Sequence, residues 1–266
     1  MSKLNQQESP KPMVAPCRKL KPLAAIGWLK LGLNDFKQVY KLSFAYGLVM
    51  MVTSIIISLT AYYAHSIVLA IALTAGFFFM GPVIAIGLYS LSRQLSHGAS
   101  PNLLRSLKAG KRNLGHAMVL SFMFLIVFLI WARAASMLHI FFPSLTTMNP
   151  ADWFQFIGVG TLVGAVFAAI IFCSGAFSIP MLLDRDVDTV TAVVTSIHAV
   201  LKNKLAMLVW GVVIVMLVLI GILTFYLGLL VILPVIGHAT WHAYQETIDA
   251  NTWELGPGLD ESTDIT

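Results

Sequence analysis

The sequence predicts an all-α fold, a polytopic transmembrane helix bundle of about six spans with short amphipathic cytoplasmic helices between them. Three observations carry that expectation. Hydrophobic residues make up 58% of the chain and charged residues only 11%, against roughly 25% charged in a soluble domain. Apolar residues come in long blocks rather than one-sided stripes, and mean hydropathy is +0.83. The basic residues collect between alternate blocks, as they do on the cytoplasmic side of membrane proteins.

A helix rises about 1.5 Å per residue and the hydrocarbon core is about 30 Å thick, so each crossing needs about twenty residues. The charge-free block from Leu42 to Leu91 is more than twice that length and must fold back. Its polar Tyr62-Tyr63-Ala64-His65-Ser66 is the expected turn. A third span runs from Leu114 to Phe142, interrupted only by Arg133, and a fourth from Trp153 to Leu183. Leu205 to Ala243 again reads as two helices, turning near Tyr226-Leu227-Gly228.

Lys and Arg precede the first span, lie between the second and third, and lie between the fourth and fifth. The three other connections carry none. Both termini are therefore expected in the cytoplasm. Residues 1–40 are expected to form an N-terminal tail, unstructured up to about Pro22. Residues 41–248 hold the six spans and 249–266 an acidic C-terminal tail. The net charge of +5 is a topology signal, with no nucleic-acid footprint. Cys17 is expected in the cytosol and Cys173 within the fourth span, so no disulfide is expected, and the two cysteines have no metal-type spacing.

Each larger cytoplasmic connection reads as a surface helix. In the first, Ser100 is the expected N-cap, followed by Pro101; Leu103, Leu104 and Leu107 line one side and Arg105, Lys108, Lys111 and Arg112 others. In the second, Val190, Val193, Val194, Ile197 and Leu201 recur at helical spacing after Asp188. Ser106, Ala109 and Asn113 match Ser196, Ala199 and Asn203 in spacing. Prolines at 82, 180 and 234 fall near the cytoplasmic ends of the second, fourth and sixth spans. They fit a pseudo-repeat of three like-oriented hairpins, as well as the ordinary frequency of proline in membrane helices.

Three stretches stand out together: Gly81-Pro82-Val83-Ile84-Ala85-Ile86-Gly87-Leu88-Tyr89, Ser178-Ile179-Pro180-Met181-Leu182-Leu183-Asp184-Arg185-Asp186-Val187-Asp188, and Gly237-His238-Ala239-Thr240-Trp241-His242-Ala243-Tyr244. With them the chain resembles, from about Trp28 to Tyr244, a bacterial family of predicted integral membrane proteins catalogued as domain-of-unknown-function family 2189. The resemblance implies an inner-membrane location in a Gram-negative bacterium and no established activity. Some members of that family carry a loose cytochrome c oxidase label.

The candidate site residues are few. Arg133, the one cation within a span, is read as an anchor that snorkels outward toward Asp152, with a substrate or ion contact as the alternative. His238 and His242 share a helical face, a spacing used by metal ligands. With Trp241 and Tyr244 beside them, they read first as polar anchors in an interfacial aromatic belt. A haem or metal site would need a further facing ligand, with His116 and His198 the candidates on that side. In the Asp184, Arg185, Asp186, Asp188 cluster, Asp188 is expected to cap the next helix while Arg185 offsets the acids; a divalent-cation or phosphate site is the alternative. A calcium loop is excluded because Thr189 and Thr195 occupy the positions that need glycine and glutamate.

No phosphate-binding glycine loop, nucleophile elbow or zinc-protease motif occurs, so no enzyme and no cofactor is expected. Three function classes remain: a non-enzymatic scaffold or assembly factor, a small-solute permease or channel, and an accessory redox subunit. The expected partners are the bilayer, anionic lipid headgroups at the basic loops, and other membrane proteins or further copies of the chain. Near-absence of intramembrane charge favours the scaffold.

Overall fold

A computed structural model describes residues 12–65, 67–141 and 149–256. Ten helices occur among them: α1 (Ala24–Gln38), α2 (Tyr40–Ala64), α3 (Ile67–Ser96), α4 (Leu103–Arg112), α5 (Leu114–Phe141), α6 (Pro150–Gly175), α7 (Ser178–Asp184), α8 (Thr189–Lys202), α9 (Lys204–Leu223) and α10 (Leu229–Thr247). They form three units of one plan. A short helix (α1, α4, α8) leads through a single residue into a long helix (α2, α5, α9), which turns back as α3, α6 with α7, or α10.

The three joints are alike. Val39, Asn113 and Asn203 carry φ/ψ of −120°/34°, −87°/9° and −118°/40°, outside the helical well. Yet each donates its N–H four residues back, to Asp35, Ala109 and Ala199, and each accepts from the residue four ahead, Ser43, Ala117 and Met207. The ladder survives while its axis bends. Both asparagines reinforce the bend with their side-chain amides, donating to the carbonyls of Ala109 at 3.0 Å and Ala199 at 3.1 Å.

The short helices dock by a shared device. Ser106 donates to the carbonyl of Gly87 on α3 at 2.7 Å, and Ser196 to that of Cys173 on α6 at 2.8 Å. In α1 the corresponding residue is Gly32, where a Cβ would crowd Val235 O and Ala239 N of α10. Each short helix thus packs on the returning helix of the preceding unit, with α1 on α10 completing the ring. The returning helices α3, α7 and α10 meet one another at the centre.

Turns fall where the polar breaks predict them. His65 ends α2 at φ 46°, and Phe225 and Tyr226 turn α9 into α10 at φ 53° and 66°. Among the described residues four helical stretches are long and apolar enough to cross a membrane: Tyr40–Ala64, Leu114–Met137, Pro150–Asp184 and Lys204–Leu223. Their outward faces expose Val52, Ile56, Phe122, Leu162, Leu208 and Val215, an apolar surface that water would not tolerate. The protein is a helical membrane bundle. Pro82 and Pro234 lie inside continuous helices, whereas the chain breaks at Ala176 and Phe177 before Pro180. Pro234 cannot bond the Leu230 carbonyl, and Gly47 of α2 packs directly against that oxygen.

Three local expectations change. The cap of α4 is Asn102, whose side chain accepts from Leu104 N at 2.8 Å, rather than Ser100. Residues 24–38, placed by sequence in a tail, are the helix α1. Segment 15–20, expected to lack structure, is bound: Arg18 N donates to Thr247 O at 2.7 Å, Asp249 N to Pro16 O at 2.8 Å, and Leu20 N to the Asn203 side chain at 2.8 Å.

Candidate functional site: a buried polar junction

Where α3, α7 and α10 converge, the bundle buries a set of polar side chains that composition alone would place in water. Asp184, the last residue of α7, is 5% exposed, and Arg93 of α3 is 4% exposed. Burial of either charge alone is costly, and the two compensate each other: Arg93 Nε lies 3.3 Å from Asp184 Oδ1. That contact is Coulombic rather than a directed hydrogen bond. The directed bonds come from Nη2, which donates to Asp184 O at 3.2 Å and Gly256 O at 2.8 Å. Asp184 Oδ2 accepts from Arg185 Nε at 3.0 Å and from the Tyr244 hydroxyl at 2.9 Å.

The C-terminal segment closes this cluster. Asp186 N donates to Glu254 O at 3.0 Å and Gly256 N to Asp184 O at 2.7 Å, while Arg185 Nη1 reaches Trp253 O at 3.1 Å. Gly256 fits because a Cβ there would stand 2.9 Å from Leu183 O. Trp253 itself is buried.

His238 is fully buried on α10. Its Nε2 pairs with Ser43 Oγ of α2 at 2.8 Å and its Nδ1 with Ser92 Oγ of α3 at 2.7 Å. A neutral imidazole offers one donor and one acceptor, and the two hydroxyls match both. Neither ring nitrogen is left for a ligand. His242 instead pairs with Asp35 of α1, Nε2 to Oδ2 at 2.9 Å. The histidines therefore hold three different helices to α10; His238, Trp241 and Tyr244 are buried in the core, and His242 is half-buried at its edge. Among the described residues no group of three or more His, Cys, Asp or Glu is placed to hold a metal ion.

The remaining candidates separate. Asp188 caps α8, its Oδ1 accepting from Thr191 N at 2.9 Å. Its carboxyl is held below the usual range chiefly by the Thr191 side-chain hydrogen bond, aided by backbone amides and opposed by partial burial. Asp186 is exposed, and among the described residues it bonds through its backbone N–H. Arg133 is exposed on α5, and among the described residues it forms no ion pair with Asp152. Asp152 closes a capping box with Asn149 at the start of α6. His116 bonds Thr189 at 3.0 Å, and His198 is exposed on α8.

Sequence reasoning missed Arg93, Tyr244, Asp35, Ser43 and Ser92. Arg93 passed as ordinary positive-inside charge. The one available signal was the dense polar run Ser90-Leu91-Ser92-Arg93-Gln94 closing an otherwise charge-free helix.

No curated protein and no solved structure matches the chain. The third of the three distinctive stretches, 237–244, lies outside the family match. Over residues 69–184, from α3 to the buried aspartate that ends α7, the chain matches the family described as Predicted integral membrane protein (DUF2189).

Proposed function

We propose that this protein is a non-enzymatic scaffold or assembly factor of the bacterial inner membrane. Six crossings place both termini and all three short helices on the cytoplasmic side, with the basic helices near anionic headgroups. One observation carries the reading: the buried polar groups of the junction are committed to one another and sealed by residues 248–256. Arg93 Nε and Trp241 Nε1 are the buried side-chain donors without a hydrogen bond among the described residues; the paired groups around them hold a shape, since paired buried polar groups specify a unique packing. A permease would present polar side chains to a shared cavity at mid-depth. One cavity among the described residues, about 290 Å³ between α3, α5 and α6, is walled by Phe128, Trp131, Gly164, Phe167, Ala168 and Ile171, with Thr74 at one side.

The test is affinity purification from the native membrane together with an absorption spectrum of the product. The expected result is a reproducible set of stoichiometric membrane-protein partners and no Soret band. A stoichiometric Soret band lost on His238→Ala, or solute flux in proteoliposomes, would replace the scaffold with the redox or permease alternative.

A further inference from the structure

Building on that membrane-scaffold reading, we propose that α4 is the element that grips anionic phospholipid of the adjoining leaflet. At about 100° per residue, its side chains divide into three consecutive sectors. Ser106, Ala109 and Gly110 are buried, and this sector faces the bundle. Beside it lie Leu103, Leu107 and Leu104, exposed by 37%, 55% and 60%. Beyond them lie Lys108, Arg112 and Arg105. Lys111 emerges among the leucines in the last turn, long enough to snorkel out of an apolar layer.

The order of sectors, protein then apolar then cationic, is that of a helix lying in a membrane interface. The leucine sector is extended by exposed Leu114 and Met118 at the start of α5, a helix apolar enough to cross the membrane. Among the described residues no acid compensates the cations. Between Asp35 and Asp152 the sequence contains no Asp or Glu, and among the described residues none of Arg105, Lys108, Lys111 and Arg112 forms an ion pair. Phosphate groups supply the missing charge, and the neighbouring exposed leucines commit the source to lipid rather than a free anion. The third unit differs. The exposed stripe of α8 carries Val190, Val194 and Leu201, and its Lys202 donates to Cys17 O at 2.6 Å. Headgroup selectivity therefore belongs to α4 and not to α8.

The experiment uses the purified full chain in detergent with equimolar phosphatidylglycerol and phosphatidylcholine, and native mass spectrometry counts retained lipid. Phosphatidylglycerol is expected to be retained preferentially. Arg105→Gln with Lys108→Gln and Arg112→Gln should lower that retention at least about fivefold, while Arg105→Lys with Arg112→Lys should preserve it. A second readout places an environment-sensitive label at Leu107→Cys, with Cys17→Ser and Cys173→Ser, in nanodiscs of the same lipids. Quenching by shallow spin-labelled lipid is expected. Unchanged phosphatidylglycerol retention in the glutamine variant would overturn the proposal, as would quenching only by an aqueous quencher. Loss of an acidic co-purifying protein with lipid retention intact would overturn it in favour of a protein partner. These failures leave the scaffold reading untouched, because that reading is judged by partners from the native membrane.

Discussion

Arg93 Nε and Asp184 Oδ1 stand 3.3 Å apart with side chains 4% and 7% exposed, so α3 and α7 are tied by a charge pair that solvent does not screen. Removing Arg93 leaves the buried Asp184 carboxylate with Arg185 and the Tyr244 hydroxyl but without the cation on its Oδ1 side, a loss that burial makes costly. Arg93→Met should therefore cost about 3–5 kcal/mol in denaturation measured in detergent. Arg93→Met with Asp184→Leu should recover only part of that loss, because Arg185, 17% exposed and paired with Asp184 Oδ2 at 3.0 Å, then loses its carboxylate. A single-variant loss below about 1 kcal/mol would class the pair with exposed surface bridges.

Asp188 tests local capping. Asparagine also caps, so Asp188→Asn should be nearly neutral at pH 7, whereas Asp188→Ala should cost roughly 1 kcal/mol. The carboxyl is held below its ordinary value, so its contribution is present above the unfolded-state value of about 3.9 and disappears as pH falls through the lower folded value. Acid titration of stability should accordingly lose this component in Asp188→Asn. Strong stabilisation of the wild type by magnesium, absent in both variants, would point to a cation site instead.

Glycine substitutions separate close helix contact from mere flexibility. A Cβ on Gly47 meets the Leu230 carbonyl released by Pro234, whereas a Cβ on Gly158 of α6 meets nothing within 4 Å. Gly47→Ala should destabilise by about 1–3 kcal/mol, and Gly158→Ala should be neutral or stabilise by up to about 1 kcal/mol. Equal effects in thermal melts would remove the α2–α10 crossing from the account.

What could be read from sequence was local or periodic. The turns at His65 and near Tyr226, the cap at Asp188 and the shared spacing of Ser106, Ala109 and Asn113 with Ser196, Ala199 and Asn203 depend on neighbours within a few turns. The junction depends on contacts across the chain: Arg93 meets a residue 91 positions away, and Ser43 meets His238 across 195. Spacing could put His238 and His242 on one face but could not show that this face is split between α1, α2 and α3. Helix α1 was hidden because its lysines and tail-like position outweighed a pattern whose buried members, Trp28, Gly32 and Phe36, become meaningful only against α10.

In the proposed topology three like-oriented units put every short helix and both chain ends on one side of the membrane. Compartment-reporter fusions after Lys21, Lys108, Lys202 and Asp260, with others near His65 and Asn149, measure this directly. The account predicts cytoplasmic signals from the first four and external signals from the last two. An external signal after Lys202 or Asp260 would contradict it, because the third unit could then not share the orientation of the other two.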